Sequence, residues 1–160
     1  MIAVGDKLPE ATFHVMTGGG PGTVSTAEMF DGKTVVLFAV PGAFTPTCHM
    51  NHLPGFLENA DALKAKGVDT IAVTSVNDVF VMDAWSKAAN AGDKVTFLAD
   101  GNGSFAEAIG LTLDGSGFGL GTRSQRYAML VKDGTVQVLN VEDLASQATK
   151  SSAGELLSAI

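Results

Sequence analysis

Residues Thr34-Val35-Val36-Leu37-Phe38-Ala39-Val40 form an unbroken β-branched and apolar run, and this run constrains the fold more than any other stretch. A strand with one wet face alternates polar and apolar residues, whereas a strand without alternation is covered on both faces. The sequence around the run supplies the covering layers. Val68 to Thr74 and Val95 to Ala99 are further strand-like runs. Between and after them lie segments with helical spacing. Leu53, Phe56, Leu57, Ala60 and Leu63 form one stripe, Phe80, Ala84, Trp85 and Ala88 a second, and a short helix is expected around Phe105 to Ile109. Pro54 lies inside the first of these helices and is expected to kink it, because proline removes a backbone donor.

The flanks complete the pattern. Gly18 to Gly22 reads as a turn between short extended segments, and Thr26 to Phe30 as a single helical turn. Tyr127 to Val131 and Thr135 to Leu139 are strands joined by Asp133-Gly134, a strong hairpin signal. A last amphipathic helix carries Leu156, Leu157 and Ile160. The order predicts an α/β fold with a central mixed β-sheet flanked by helices. At 160 residues, with 46% hydrophobic and 17% charged residues, the chain is expected to form one domain over 1–160.

Charge and composition exclude several roles. Ten Lys and Arg stand against seventeen Asp and Glu, and no basic run occurs, which argues against nucleic acid or an anionic membrane as partner. The longest apolar stretch, Val35 to Pro41, is too short to span a bilayer. Met1 to Lys7 lacks the pattern of a secretory signal. Cys48 is the only cysteine, so an internal disulfide is impossible. A cytoplasmic location is expected.

Cys48 closes the turn Pro41-Gly42-Ala43-Phe44-Thr45-Pro46-Thr47-Cys48, directly after the central strand. Open α/β sheets place ligand sites at strand ends, and the opening turn of a helix favours a thiolate. A packing cysteine needs neither. Thr45 stands three residues upstream, within reach of the sulfur, although a helix cap is the ordinary duty of a threonine there. His49 and His52 follow closely. They raise two rival readings, a Cys–His hydrolase pair and a metal site with Cys48. The set lacks a fourth ligand, and His52 is better read as a helix-surface residue or a support for the site. Gly115 to Gly121 precedes a strand rather than opening a helix, so nucleotide binding is rejected.

Pro41, Thr45 and Cys48 reproduce the Pro-x-x-x-Thr-x-x-Cys signature, and the chain thereby resembles the peroxiredoxins. The stretch Pro41 to Cys48, followed by His52-Leu-Pro-Gly-Phe56, is similar to the type II (Prx5) subfamily. Ser75-Val-Asn-Asp78, Phe80-Val-Met82 with Trp85, and Gly119-Leu-Gly-Thr-Arg-Ser-Gln-Arg-Tyr127 continue the likeness in order. It extends from Val4 to Glu142. The resemblance implies a thioredoxin-like fold and a peroxidase that reduces hydrogen peroxide and alkyl hydroperoxides through a sulfenic acid at Cys48. It implies Cys48, Thr45 and Arg126 as catalytic residues, and Pro41 beside them as a peroxide-binding residue. From the residues alone Arg123 competes with Arg126, and a surface ion pair would be the ordinary fate of either; only the subfamily pattern selects Arg126. The reaction needs no metal or organic cofactor.

Relatives that carry a second, resolving cysteine often have it where this chain has Val73. With one cysteine, recycling requires an external thiol: glutathione with glutaredoxin, or alternatively thioredoxin. The resemblance further implies a homodimer, with Phe44 and Phe118 lining the pocket or a dimer contact beside it. A redox-sensing module that uses Cys48 once per oxidation is the non-enzyme alternative.

Overall fold

The computed structural model describes residues 1–160 and sets the unbroken apolar run in the middle of a sheet. The chain opens with β1 (Thr12–Thr17), β2 (Gly20–Ser25), α1 (Thr26–Phe30) and β3 (Thr34–Ala39). A π-helical turn (Cys48–His52) then leads into α2 (Leu53–Glu58) and α3 (Ala60–Ala65). Next come β4 (Thr70–Ser75), α4 (Val79–Ala88), β5 (Thr96–Ala99), α5 (Ser104–Ile109) and β6 (Thr112–Asp114). A 3-10 turn (Ser116–Phe118) precedes β7 (Thr122–Ser124), β8 (Tyr127–Lys132), β9 (Thr135–Val141) and α6 (Ala153–Ala159).

Seven strands form one mixed sheet in the order β2-β1-β5-β4-β3-β8-β9. β3, β4 and β5 run parallel, while β1, β8 and β9 add antiparallel neighbours. The α/β fold with a mixed sheet is therefore the one the sequence predicts. Side chains of β3 alternate between two dry layers. Val36 and Phe38, with Val40 just beyond, meet Leu53, Phe56, Trp85 and Leu156; Val35, Leu37 and Ala39 meet Phe13, Phe30, Phe105 and Tyr127. Full burial contributes about 1.5–3 kcal/mol for each large apolar side chain, so neither layer is dispensable.

Four local features differ from the expectation. On α4 the buried residues are Val79, Met82 and Trp85, while Phe80, Ala84 and Ala88 face solvent. Two apolar stripes lie side by side on this helix, and packing against β1 and β5 selects the one that seats Trp85. The expected single helix after Cys48 is broken twice. Pro54 cannot donate to the preceding turn, and Leu53 N–H reaches back five residues to Cys48 O, which makes the first turn π-helical. Asn59 ends α2 by donating its amide to Gly55 O at 2.8 Å. The third difference is β6–β7, a separate two-stranded sheet that flanks the glycine-rich stretch. Gly20 to Gly22 also belong to β2 rather than to the turn before it. The β8–β9 turn forms as expected, with Asp133 at φ 48° and Gly134 at φ 76°.

Candidate active site

β3 delivers the chain to the carboxyl edge of the parallel strands, and the segment Pro41–Thr45 turns it back into the helix. Two side chains from the end of β4 secure this turn. Asn77 Oδ1 accepts Ala43 N–H at 2.9 Å and the Ser75 hydroxyl at 2.6 Å. Phe44, at the tip, has φ 64°, a left-handed conformation that costs a bulky residue roughly 1–3 kcal/mol. Its ring lies 5.7 Å from that of His49, which in turn accepts the Trp85 indole N–H at 3.1 Å on Nδ1. Gly42 lets the turn close. A Cβ there would stand 3.0 Å from Thr45 Cγ2 and 3.3 Å from Arg123 Nη1.

Cys48 is fully buried at the bottom of this turn. Thr45 Oγ1 is 2.8 Å from Sγ and 2.7 Å from Gly42 O, so its single proton can be given to either acceptor. Arg126 Nη2 donates to Sγ at 2.9 Å. The structure thus brings Cys48, Thr45 and Arg126 together, with buried Pro41 at the start of the same turn. Arg123 goes elsewhere. Its Nε donates to Leu120 O at 2.9 Å and its Nη1 to Val76 O at 3.4 Å. Arg126 is no surface ion pair; it is 2% exposed and immediately precedes β8.

The guanidinium of Arg126 is held on three sides. Nε donates to Ala145 O at 2.9 Å, Nη1 to His52 Nδ1 at 2.9 Å, and Nη2 to the sulfur. An arginine has five N–H donors, so two remain for an oxygen ligand beside Sγ. Thr45 and Arg126, both bonded to a buried thiol, make an arrangement that can stabilise a thiolate and receive charge developing on oxygen.

His52 is a buried residue and not a helix-surface one. Its Nδ1 must accept, because arginine only donates, and its Nε2–H therefore donates to Ser151 O at 2.9 Å. Burial, reinforced by the Arg126 charge, lowers its pKa from 6.5 to about 4, so the ring is neutral. Both ring nitrogens are thus engaged, and His52 has no lone pair left to act as a base on Cys48 or to bind a metal. Sequence reasoning missed Ala145, Ser151 and Glu142, which back this group from the segment after β9. Two of the three contacts to the site use main-chain carbonyls, which leave no residue signature. Val73, at the alternative cysteine position, is a buried residue of β4.

The chain is similar to known proteins over nearly its whole length. A family model described as redoxin matches residues 3–157. The chain is 53% identical to peroxiredoxin-2E-2, chloroplastic, of Oryza sativa subsp. japonica, over 99% of this chain and 72% of that protein. It is 48% identical to peroxiredoxin-2B of Arabidopsis thaliana, over 99% of this chain and 98% of that one. Among solved structures, reduced Prx3 from Vibrio vulnificus in complex with hydrogen peroxide is 53% identical and matches with a TM-score of 0.94, covering 99% of both chains.

Proposed function

Since the chain belongs to the redoxin family, as a one-cysteine peroxiredoxin of the type II subfamily with a thioredoxin-like fold, it is a thiol-dependent peroxidase, and we propose that Cys48, Thr45, Arg126 and Pro41 carry the reaction. The Cys48 thiolate attacks one oxygen of a hydroperoxide. The S–O bond forms as the O–O bond breaks, and hydroxide or alkoxide leaves with the electron pair and takes up a proton. Arg126 and the Thr45 hydroxyl stabilise the thiolate first and the developing oxyanion next. Pro41 walls the pocket against water. The carrying observation is the pair of donors on a buried sulfur, at 2.8 and 2.9 Å.

The resulting sulfenic acid is reduced from outside, because the chain has no second thiol. Glutathione condenses with it, releasing water and leaving a mixed disulfide, and a second thiol then regenerates Cys48. Glutaredoxin is the assigned catalyst of that second step. Peroxide consumption with glutathione and glutaredoxin, against thioredoxin with its reductase, tests the assignment. Faster turnover with thioredoxin would reverse it, and one equivalent consumed per chain would mark a sensor instead.

The protein works in this reading as a homodimer in the cytoplasm. The exposed aromatic side chains Phe44, Phe80 and Phe118 support partner contacts, and the unpaired thiol supports a reducing compartment. Sedimentation of the wild type and of Phe118→Glu tests the first point. Fractionation against compartment markers tests the second, the rice relative being named chloroplastic.

A further inference from the structure

The bonds that hold Arg126 close into a ring, and the ring passes through a carboxylate far from the sulfur. Arg126 Nη1–H is accepted by His52 Nδ1 at 2.9 Å, and His52 Nε2–H by Ser151 O at 2.9 Å. Ser151 N–H and its hydroxyl both donate to Glu142 Oε2 at 2.6 Å. Glu142 N–H returns to the Arg126 carbonyl at 3.0 Å. Every member is nearly closed to solvent: Arg126 and His52 are 2% exposed, Glu142 7% and Ser151 0%.

We propose that Glu142 is a positioning residue for the peroxidase reaction, acting through Ser151 and His52 on the orientation of Arg126. Residues 142–152 have no strand or helix of their own, and ordering such backbone costs about 1–2 kcal/mol per residue. Yet this segment supplies Ala145 O and Ser151 O, the acceptors that aim Arg126 and His52. The Glu142 carboxylate fastens it, taking also the Thr149 hydroxyl at 3.2 Å. Burial alone would push this carboxyl up, but the donors of Ser151, Lys150 and Thr149 together hold it below its ordinary range. Those bonds go to the ionised form, so the fastening is in place at neutral pH. If the segment loosens, Arg126 loses its Ala145 acceptor and His52 loses its Ser151 anchor, while Thr45 still contacts the sulfur.

The inference rests on the assignment of Arg126 to the reaction, and a double-mutant cycle separates the two. Stopped-flow oxidation of Cys48 by hydrogen peroxide is measured for wild type, Glu142→Ala, Arg126→Ala and the double variant, each checked for native near-UV circular dichroism. Glu142→Ala is expected to slow oxidation about tenfold or more, and the double variant to be no slower than Arg126→Ala within about twofold. Glu142→Gln, which keeps an acceptor for Ser151, is expected to retain the rate within about threefold. Losses that multiply in the double variant, or a wild-type rate in Glu142→Ala, overturn the inference. A wild-type rate in Arg126→Ala would instead overturn the assignment of Arg126. Should Glu142→Ala not fold, Ser151→Ala removes only one bond of the ring and takes its place in the cycle, with the same non-additivity expected.

Discussion

Arg126 Nη2 and Cys48 Sγ lie 2.9 Å apart, although 78 residues separate them along the chain. β3 and β8 are hydrogen-bonded neighbours, and Ala39 pairs with Tyr127, so the last residue of one strand and the first of the other share a row. Cys48 follows the former and Arg126 precedes the latter. Sheet register alone thus brings the two segments to one edge, and the ring through His52 and Ser151 sets the side chain.

Thr45 and the two arginines differ in what they touch, and their variants should differ accordingly. Thr45→Val keeps the shape and removes the 2.8 Å donor to the sulfur, and is expected to slow Cys48 oxidation by roughly 10- to 1,000-fold. Arg123→Ala should slow it far less, because its bonds go to Leu120 O and Val76 O. Rapid-mixing rates for the two variants check this. Equal losses would mean that Arg123 also bears on the sulfur.

Gly42→Ala probes how tightly the turn is built. The new Cβ meets Thr45 Cγ2 at 3.0 Å and Arg123 Nη1 at 3.3 Å, so Thr45 must shift by a few tenths of an ångström. Peroxide reactivity is expected to fall severalfold, while the stability read from urea titration falls by about 1–3 kcal/mol. An unchanged rate would show that the position of the Thr45 hydroxyl is not critical.

His52 makes acid stability testable. Its folded pKa of about 4 lies below the unfolded 6.5, so between these values the unfolded chain binds more protons than the native one. Stability should therefore fall as pH drops from about 6.5 to about 4, by a few kcal/mol at most, and level off below. Urea titrations of wild type and His52→Gln across this window isolate the effect. The wild-type slope should exceed that of the variant; parallel slopes would contradict a neutral, buried His52.

Tyr127 offers a test without chemistry. Its hydroxyl is fully buried and has no hydrogen-bond partner in the protein, and burial pushes its pKa well up. Removing an unsatisfied polar group relieves its desolvation, so Tyr127→Phe should match or exceed the wild type in stability. A loss of more than about 1 kcal/mol would mean that the hydroxyl is satisfied, for instance by an internal water.

The parts legible in the sequence were those carried by residue type at short range. The β3 run, the Asp133-Gly134 turn and the Pro41 to Cys48 segment each state their own geometry, and all three formed as read. The choice of Arg126 over Arg123 was legible only through family likeness, since register between β3 and β8 is not written locally. The α4 face was misread because Phe80 and Trp85 point to different sides of one short helix. Most hidden was the support behind Arg126. His52 and Ser151 are 99 residues apart and meet through a main-chain carbonyl, which any residue could provide.

The central claim is that Arg126 holds the Cys48 sulfur ready for peroxide. Its most direct measurement is the second-order rate constant for Cys48 oxidation by hydrogen peroxide, wild type against Arg126→Ala, with sulfenic acid confirmed by mass spectrometry. Loss of a preorganised donor to the reacting charge should lower the rate constant by roughly 100- to 1,000-fold in a natively folded variant. A rate constant within about twofold of the wild type would contradict the account.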